Sequence, residues 1–287
     1  MPSLIDLRRR IRSVKNTQQI TKAMKMVSAA KLRRSQQQAL TARPYASLIN
    51  DMLASVLRHP TLAAEFEHPL LVQRPENRIL LLLLSGEKGL CGAFNAQVFR
   101  DARAFLAQRS GETVELELIG RKGRDAFAKR HRPISGEWTG VLGTVELETA
   151  RSIAAKVMDR FAAADVDAVY ALYSEFRGAM SQRPVARRIL PLQAPEEEGP
   201  SVIDYIYEQP PQRMFETLLP RYVETQVYQA MLESSASEHA ARMTAMDAAT
   251  RNAGEMIDNL TLRLNRVRQA SITTEIIEIV SGAAALA

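Results

Sequence analysis

Residues 3–43 read SLIDLRRRIRSVKNTQQITKAMKMVSAAKLRRSQQQALTAR, a run without a single proline or glycine. Leu4, Leu7, Ile11 and Val14 fall at a 3-4-3 spacing, which puts them on one face of an α-helix. A second apolar stripe is expected through Ile20, Met24, Val27 and Ala30. Ser3 followed by Asp6 has the form of a capping box at the helix start. Pro44 is placed to bend the helix, and the periodicity resumes at Ile49, Leu53, Val56 and Leu57 before His59-Pro60. One helix of about 55 residues is expected, roughly 80 Å long. That length points to a coiled coil or a shaft.

The far end of the chain mirrors this pattern. Beyond Pro211 the only further proline is Pro220, which is expected to kink the first turns. Ile257, Leu260, Leu264 and Val267 form an a/d seam, which Ile276, Ile279 and Ala283 are expected to extend. The stretch Ala240–Ala249 is small and Met-rich, and the five methionines Met24, Met26, Met231, Met243 and Met246 read as adaptable packing residues. This helix could run about 75 residues, or roughly 110 Å. The two seams are too imperfect for a homodimeric zipper and suit each other better.

Residues 70–205 lie between them and read as an α/β domain. Ile79–Leu84 is an unbroken apolar run, the pattern of a strand buried on both faces. Val114–Ile119, Ala168–Tyr173 and Val185–Leu190 are further strand candidates. Helices are expected over Asn95–Gln108 and Leu147–Ala163. Alternation of strand and helix predicts a mainly parallel sheet. Glu196-Glu-Glu-Gly-Pro200 reads as a solvated loop. The fold class is therefore α/β plus long helices: an antiparallel coiled coil of the terminal helices (1–58 and 209–287) with a central, Rossmann-like α/β domain (70–205). If the helices pair and leave that domain on one side, the C-terminal one outreaches its partner by about 15–20 residues, some 25–30 Å. Its small-residue end, Ser281-Gly-Ala-Ala-Ala-Leu-Ala287, is expected to project alone.

Charge is uneven. Residues 1–43 carry eleven Lys/Arg and one acid, Asp6, in a chain whose net charge is only +6. A basic arm of this kind calls for an anionic partner, whether nucleic acid, a lipid surface or an acidic protein collar, or else it is a solvated helix face. No apolar run reaches the roughly 18–20 residues of a membrane span, and Leu4–Ile11 is broken by Asp6 and three arginines, unlike a signal peptide. The lone Cys91 fits a reducing compartment.

Signals for chemistry are weak. Gly86-x-x-Gly89-x-x-Gly92 sits where a phosphate-binding turn would, between a strand and a helix. It lacks the Gly-Lys-Ser/Thr ending of a P-loop and the dinucleotide Gly-x-Gly-x-x-Gly spacing. Cys91 has no histidine near it in sequence to activate it. His59, His68, His131 and His239 share no ligand spacing, so neither a metal nor a cofactor is expected. Trp138 reads as an ordinary anchor of the α/β domain. A nucleic-acid-binding adaptor with a coiled-coil arm stands as the alternative, although the arm has no aromatic before Tyr45 for base stacking.

One stretch is far more specific. Ile272-Thr-Thr-Glu275-Ile-Ile-Glu278-Ile-Val-Ser-Gly282-Ala283 resembles the C-terminal signature of F-type ATP synthase gamma subunits. Arg268-Gln-Ala-Ser-Ile-Thr273, Asn16-Thr-Gln-Gln-Ile-Thr-Lys-Ala-Met24, Gly89-Leu-Cys-Gly92 and Ser237-Glu-His-Ala-Ala-Arg-Met243 are similar to other stretches of that family, in the same order. The resemblance implies a non-catalytic rotor shaft, which carries rotation of a membrane ring of c subunits into a hexamer of alpha and beta subunits, where ion flow drives ATP synthesis. It implies a peripheral protein at the cytoplasmic face of a bacterial inner membrane, with the epsilon subunit beside it and no nucleic acid. By the same resemblance Met24, Arg242, Arg268, Gln269, Thr273, Glu275 and Glu278 contact the beta subunits, with Met24 near Arg242, Gln269 and Thr273. Tyr205, Tyr207 and Glu208 form the foot on the ring. Three features depart from the family pattern: Glu87-Lys88-Gly89 with Ala93-Phe94 in the turn, Pro220 inside the last helix, and the absence of the cysteine pair of chloroplast relatives.

Overall fold

A computed structural model describes residues 3–57, 68–128, 133–179, 181–192 and 211–286. The expected foot residues Tyr205, Tyr207 and Glu208, and the loop at 196–200, lie outside them. The elements in chain order are α1 (Leu4–Leu57), a 3-10 turn (Pro69–Leu71), β1 (Arg78–Leu84), α2 (Phe94–Gln108), β2 (Thr113–Ile119), α3 (Arg121–Phe127), β3 (Ile134–Trp138), α4 (Leu147–Ala162), β4 (Ala168–Gly178), β5 (Ser181–Leu190) and α5 (Pro211–Leu286). Both long helices continue through their internal prolines, Pro44 and Pro220. The chain divides into two compact units, Met1–Ser28 with Met243–Ala287, and Ala29–Arg242.

The second unit is built on a five-stranded sheet of order β3-β2-β1-β4-β5. β1 pairs in parallel with β2 and β4, β2 in parallel with β3, and β5 closes the edge antiparallel to β4. β1 is central, and its side chains alternate between two cores. Leu80, Leu82 and Leu84 pack with Ile153, Val157 and Phe161 of α4 and with Leu219, Val223 and Val227 of α5. Ile79, Leu81 and Leu83 pack with Val98 and Phe105 of α2 and Phe127 of α3. Helices on both faces explain why the strand reads as a continuous apolar run instead of an alternation.

β3 and α3 were not expected from the sequence. Ile134-Ser-Gly-Glu-Trp138 has no apolar alternation, and its attachment comes from a buried polar cluster. Glu117 of β2 is fully buried; its carboxylate accepts from Lys156 Nζ at 2.7 and 2.8 Å and from Trp138 Nε1 at 2.6 Å. Lys156 also donates to the Ser135 carbonyl at 3.2 Å. A buried carboxylate is tolerated because a cation and a second donor satisfy it. Trp138 is thus an anchor with a polar handle. Between β2 and α3, Gly120 holds φ +104° against the Ser85 carbonyl, a conformation and a closeness that only glycine accepts.

Within α5, residues 230–240 (Ala-Met-Leu-Glu-Ser-Ser-Ala-Ser-Glu-His-Ala) are buried nearly all round. Small residues let the helix sit close to its neighbours. Two of their hydroxyls are satisfied across the fold: Ser235 donates to the Leu142 carbonyl and Ser237 to the Ser174 carbonyl, each at 2.9 Å.

The first unit is an antiparallel helix pair. Gln18 Nε2 donates to the Thr250 carbonyl at 3.5 Å, the Thr21 and Thr250 hydroxyls lie 2.8 Å apart, and Lys25 Nζ meets Asp247 at 2.5 Å. Positions rise along α1 as they fall along α5, which fixes the direction. Ser3 caps α1, its hydroxyl accepting from the Asp6 N–H at 3.2 Å and donating to the Asp6 carboxylate at 2.9 Å. The least exposed positions of α1 run Leu4, Leu7, Ile11, Val14, Gln18, Thr21, Lys25 and Ser28. This corrects the expected second stripe. The 3-4 repeat carries on unbroken into polar residues, and hydrogen bonds to α5 hold Gln18, Thr21 and Lys25 there. Ile20 and Val27 face outward, 59% and 57% exposed.

On α5 the expected seam Ile257, Leu260, Leu264 and Val267 is half-buried, with exposed residues between. Its expected extension is not: Ile276 and Ile279 are exposed, because α1 has ended by then.

Candidate functional site

The pairing register sets the geometry of the free end. Thr250 stands opposite Gln18 and Thr21, so the first turn of α1 is level with positions near 264–268 of α5. Residues 269–286 extend past α1, about 27 Å at helical rise. Ile272, Ile276, Ile277, Ile279 and Val280 are all exposed on that extension. They form a run of exposed apolar side chains along one short stretch of helix.

The sequence-expected contact residues divide into three groups. Arg268, Gln269, Thr273, Glu275 and Glu278 lie on or next to the extension and are all exposed. Their hydrogen bonds there are local ones along the helix: Thr273 Oγ1 donates to the Gln269 carbonyl at 2.9 Å, and Ser271 Oγ to Glu275 at 3.2 Å. Met24 is half-buried on α1, one residue before Lys25 and its partner Asp247. It is not near Gln269 or Thr273. Those residues sit about 20 positions further along α5, some 30 Å away at helical rise. Antiparallel pairing imposes that separation.

Arg242 belongs to the sheet-bearing unit and is buried. Its guanidinium pairs with Glu238 and donates to the Lys88 and Gly89 carbonyls at 3.2 Å each. Nη1 lies 3.2 Å from His239 Nδ1. Burial, then the charges of Arg242 and Lys31, lower the His239 pKa to about 4, so the ring is neutral at neutral pH and its Nδ1 accepts from the arginine. Cys91, in the same turn, is pushed the other way. Burial and then the Glu238 charge raise its thiol, with Arg242 opposing, so it has none of the thiolate character a nucleophile requires. Among the described residues no cluster of three His, Cys, Asp or Glu side chains could hold a metal. No described helix is long and apolar enough to cross a membrane.

The sequence profile of the ATP synthase family matches residues 3–286. The ATP synthase gamma chain of Solibacter usitatus is 57% identical over 288 residues, covering 99% of both chains, and that of Pelotomaculum thermopropionicum is 46% identical over the full length of both. The chain belongs to the ATP synthase gamma-chain family. Members are non-catalytic subunits of the F-type complex, so ATP is made elsewhere in the assembly and this chain forms part of the central stalk. That membership sets aside the nucleic-acid adaptor. The fold agrees. A chain from the Tetrahymena thermophila mitochondrial ATP synthase central stalk and c-ring superposes with a TM-score of 0.61 at 26% identity, over 80% of this chain and 99% of that one. A chain of the Euglena gracilis mitochondrial ATP synthase rotor, at 18% identity, shares the fold with a TM-score of 0.64 over 94% of this chain and 98% of that one. A gamma chain is peripheral to the membrane, and none of the described helices is an apolar span.

Arg242, expected as a contact to the beta subunits, is instead buried against Glu238, for which the sequence suggests no role. The i, i+4 spacing of Glu238 and Arg242 was the available signal, since such a pair faces the same way on a helix.

Proposed function

We propose that this chain is the rotating shaft between a ring of c subunits in a bacterial inner membrane and a cytoplasmic hexamer of alpha and beta subunits. The epsilon subunit and the segment holding Tyr205, Tyr207 and Glu208 form its foot on the ring. The free end of α5 is its bearing. Arg268, Gln269, Thr273, Glu275 and Glu278 contact the beta subunits there, and Met24 and Arg242 act lower on the shaft. The observation that supports this reading is the row of exposed isoleucines on residues 269–286, past the end of α1. Such a surface is costly to leave in water and is suited to burial in a partner. Arg268 and Gln269 add directed donors at its base.

Reconstitution tests it. Alpha and beta subunits mixed with the chain should form a stable complex with ATP hydrolysis well above the mixture lacking it. Gln269→Leu combined with Thr273→Val should weaken both. Failure of the chain to join the hexamer would overturn the reading.

A further inference from the structure

The turn between β1 and α2 has the form of an anion-binding turn, with backbone N–H groups gathered between a strand and a helix. It is already filled. Glu238 of α5 accepts from the Glu87 N–H at 3.2 Å and from the Lys88 N–H at 3.4 Å. Arg242, one helical turn on, pairs with the same carboxylate and grips the Lys88 and Gly89 carbonyls. Glu238 is 3% exposed and Arg242 7%. A Cβ on Gly86 would stand 3.2 Å from the Glu238 carboxyl carbon and 2.9 Å from Asn95 Oδ1, so glycine is what lets the carboxylate approach the backbone. Asn95 fixes the turn from α2 by accepting from the Gly86 N–H at 2.9 Å. Glu87 ties it to the next loop, accepting from the Gly140 N–H at 2.8 Å and the Leu142 N–H at 3.3 Å.

We infer that Glu238 is an internal anion ligand, occupying the place a phosphate would take in this turn, and that it keys α5 to the sheet as a positioning residue for torque. The second half rests on the shaft reading; the first does not. In the buried part of α5 the small residues Ala230, Ser234, Ala236 and Ala240 are interspersed with Met231 and Leu232, which pack into the core. Directional, charge-assisted hydrogen bonds add an angular registration that apolar packing alone specifies less sharply. A helix that slipped in its seat would dissipate the rotation it carries.

The test begins with the full chain and Trp138, its only tryptophan, as a reporter of sheet unfolding. Glu238→Ala should lower the thermal midpoint by roughly 5 °C or more, because it leaves Arg242 buried without its counter-charge. Sodium formate, against sodium chloride at equal ionic strength, should recover at least half of that loss saturably and leave the wild type unmoved. An equal formate response in the wild type, or an unchanged midpoint in Glu238→Ala, would overturn the ligand assignment. If Glu238→Ala does not fold, Glu238→Gln decides: a lowered midpoint supports a charged ligand, and a wild-type midpoint contradicts it. In the assembled motor, ions pumped per ATP hydrolysed should fall in Glu238→Ala or Glu238→Gln. A wild-type ratio there would overturn the keying role even if formate rescue succeeds, and failure to assemble would indict the shaft reading instead.

Discussion

β1 and the last five turns of α5 are both rich in leucine and isoleucine, yet they sit in opposite surroundings. Every side chain from Ile79 to Leu84 is at most 1% exposed, whereas Ile276, Ile277, Ile279 and Val280 are each more than half exposed. The sheet finds its core within the chain. The free end of α5 has none, because α1 stops short of it. The same residue chemistry therefore stabilises the fold in one region and stays exposed in the other. Apolar content alone does not distinguish a core from an interface; the length of the neighbouring element does.

The largest effect expected within the chain is at the centre of the sheet. Leu82→Ala removes a fully buried side chain between β1 and the α4–α5 layer, and should cost about 3–4 kcal/mol of stability, read from urea unfolding by Trp138 fluorescence. A loss below about 1 kcal/mol would mean the core is less closely packed than described.

His239 sharpens the contrast through pH. Its folded pKa, about 4, lies below the ordinary 6.5 because burial and the neighbouring Arg242 and Lys31 disfavour the imidazolium. The unfolded chain therefore takes up a proton at higher pH than the folded one. The stabilisation is fully present above pH 6.5 and is lost as pH falls toward 4, by on the order of 2–3 kcal/mol. His239→Asn, which keeps an acceptor for Arg242, should flatten that limb of the pH–stability curve. An unchanged limb would place the proton uptake elsewhere.

In the helix pair the effects shrink. Thr250→Val breaks the contact with Thr21 and should cost about 1 kcal/mol, the typical net value of such a hydrogen bond. Smallest of all, Ile276→Ala should change the stability of the isolated chain by less than about 0.5 kcal/mol, while weakening its hold on an alpha–beta hexamer. If it destabilised the chain as Leu82→Ala does, the tip would have a cover within the chain after all.

The same contrast explains what could be read in the sequence. The buried strand, the two long helices and the α5 seam at Ile257–Val267 were legible because apolar spacing marks them directly. The α1 seam was misread past Val14. There the repeat continues as Gln18, Thr21, Lys25 and Ser28, and a search for apolar residues slides onto Ile20 and Val27, which face out. β3 escaped notice because Glu117, Lys156 and Trp138 hold it through a buried ion pair and an indole hydrogen bond. The end signature around Ile272–Ala283 was legible as a family resemblance, and its exposure fits a partner surface. Arg242 was not legible, since nothing in its local sequence shows that Lys88 and Gly89, some 150 residues earlier, supply its acceptors.

Amide hydrogen exchange along α5, measured for the chain alone and in complex with alpha and beta subunits, bears most directly on the claim that the free end is a bearing. Residues 269–286 should exchange rapidly in the free chain and slow by at least an order of magnitude in the complex, while β1 and β2 stay equally protected in both. Exchange at the tip that is already slow in the free chain, or that does not change when the hexamer binds, would contradict it.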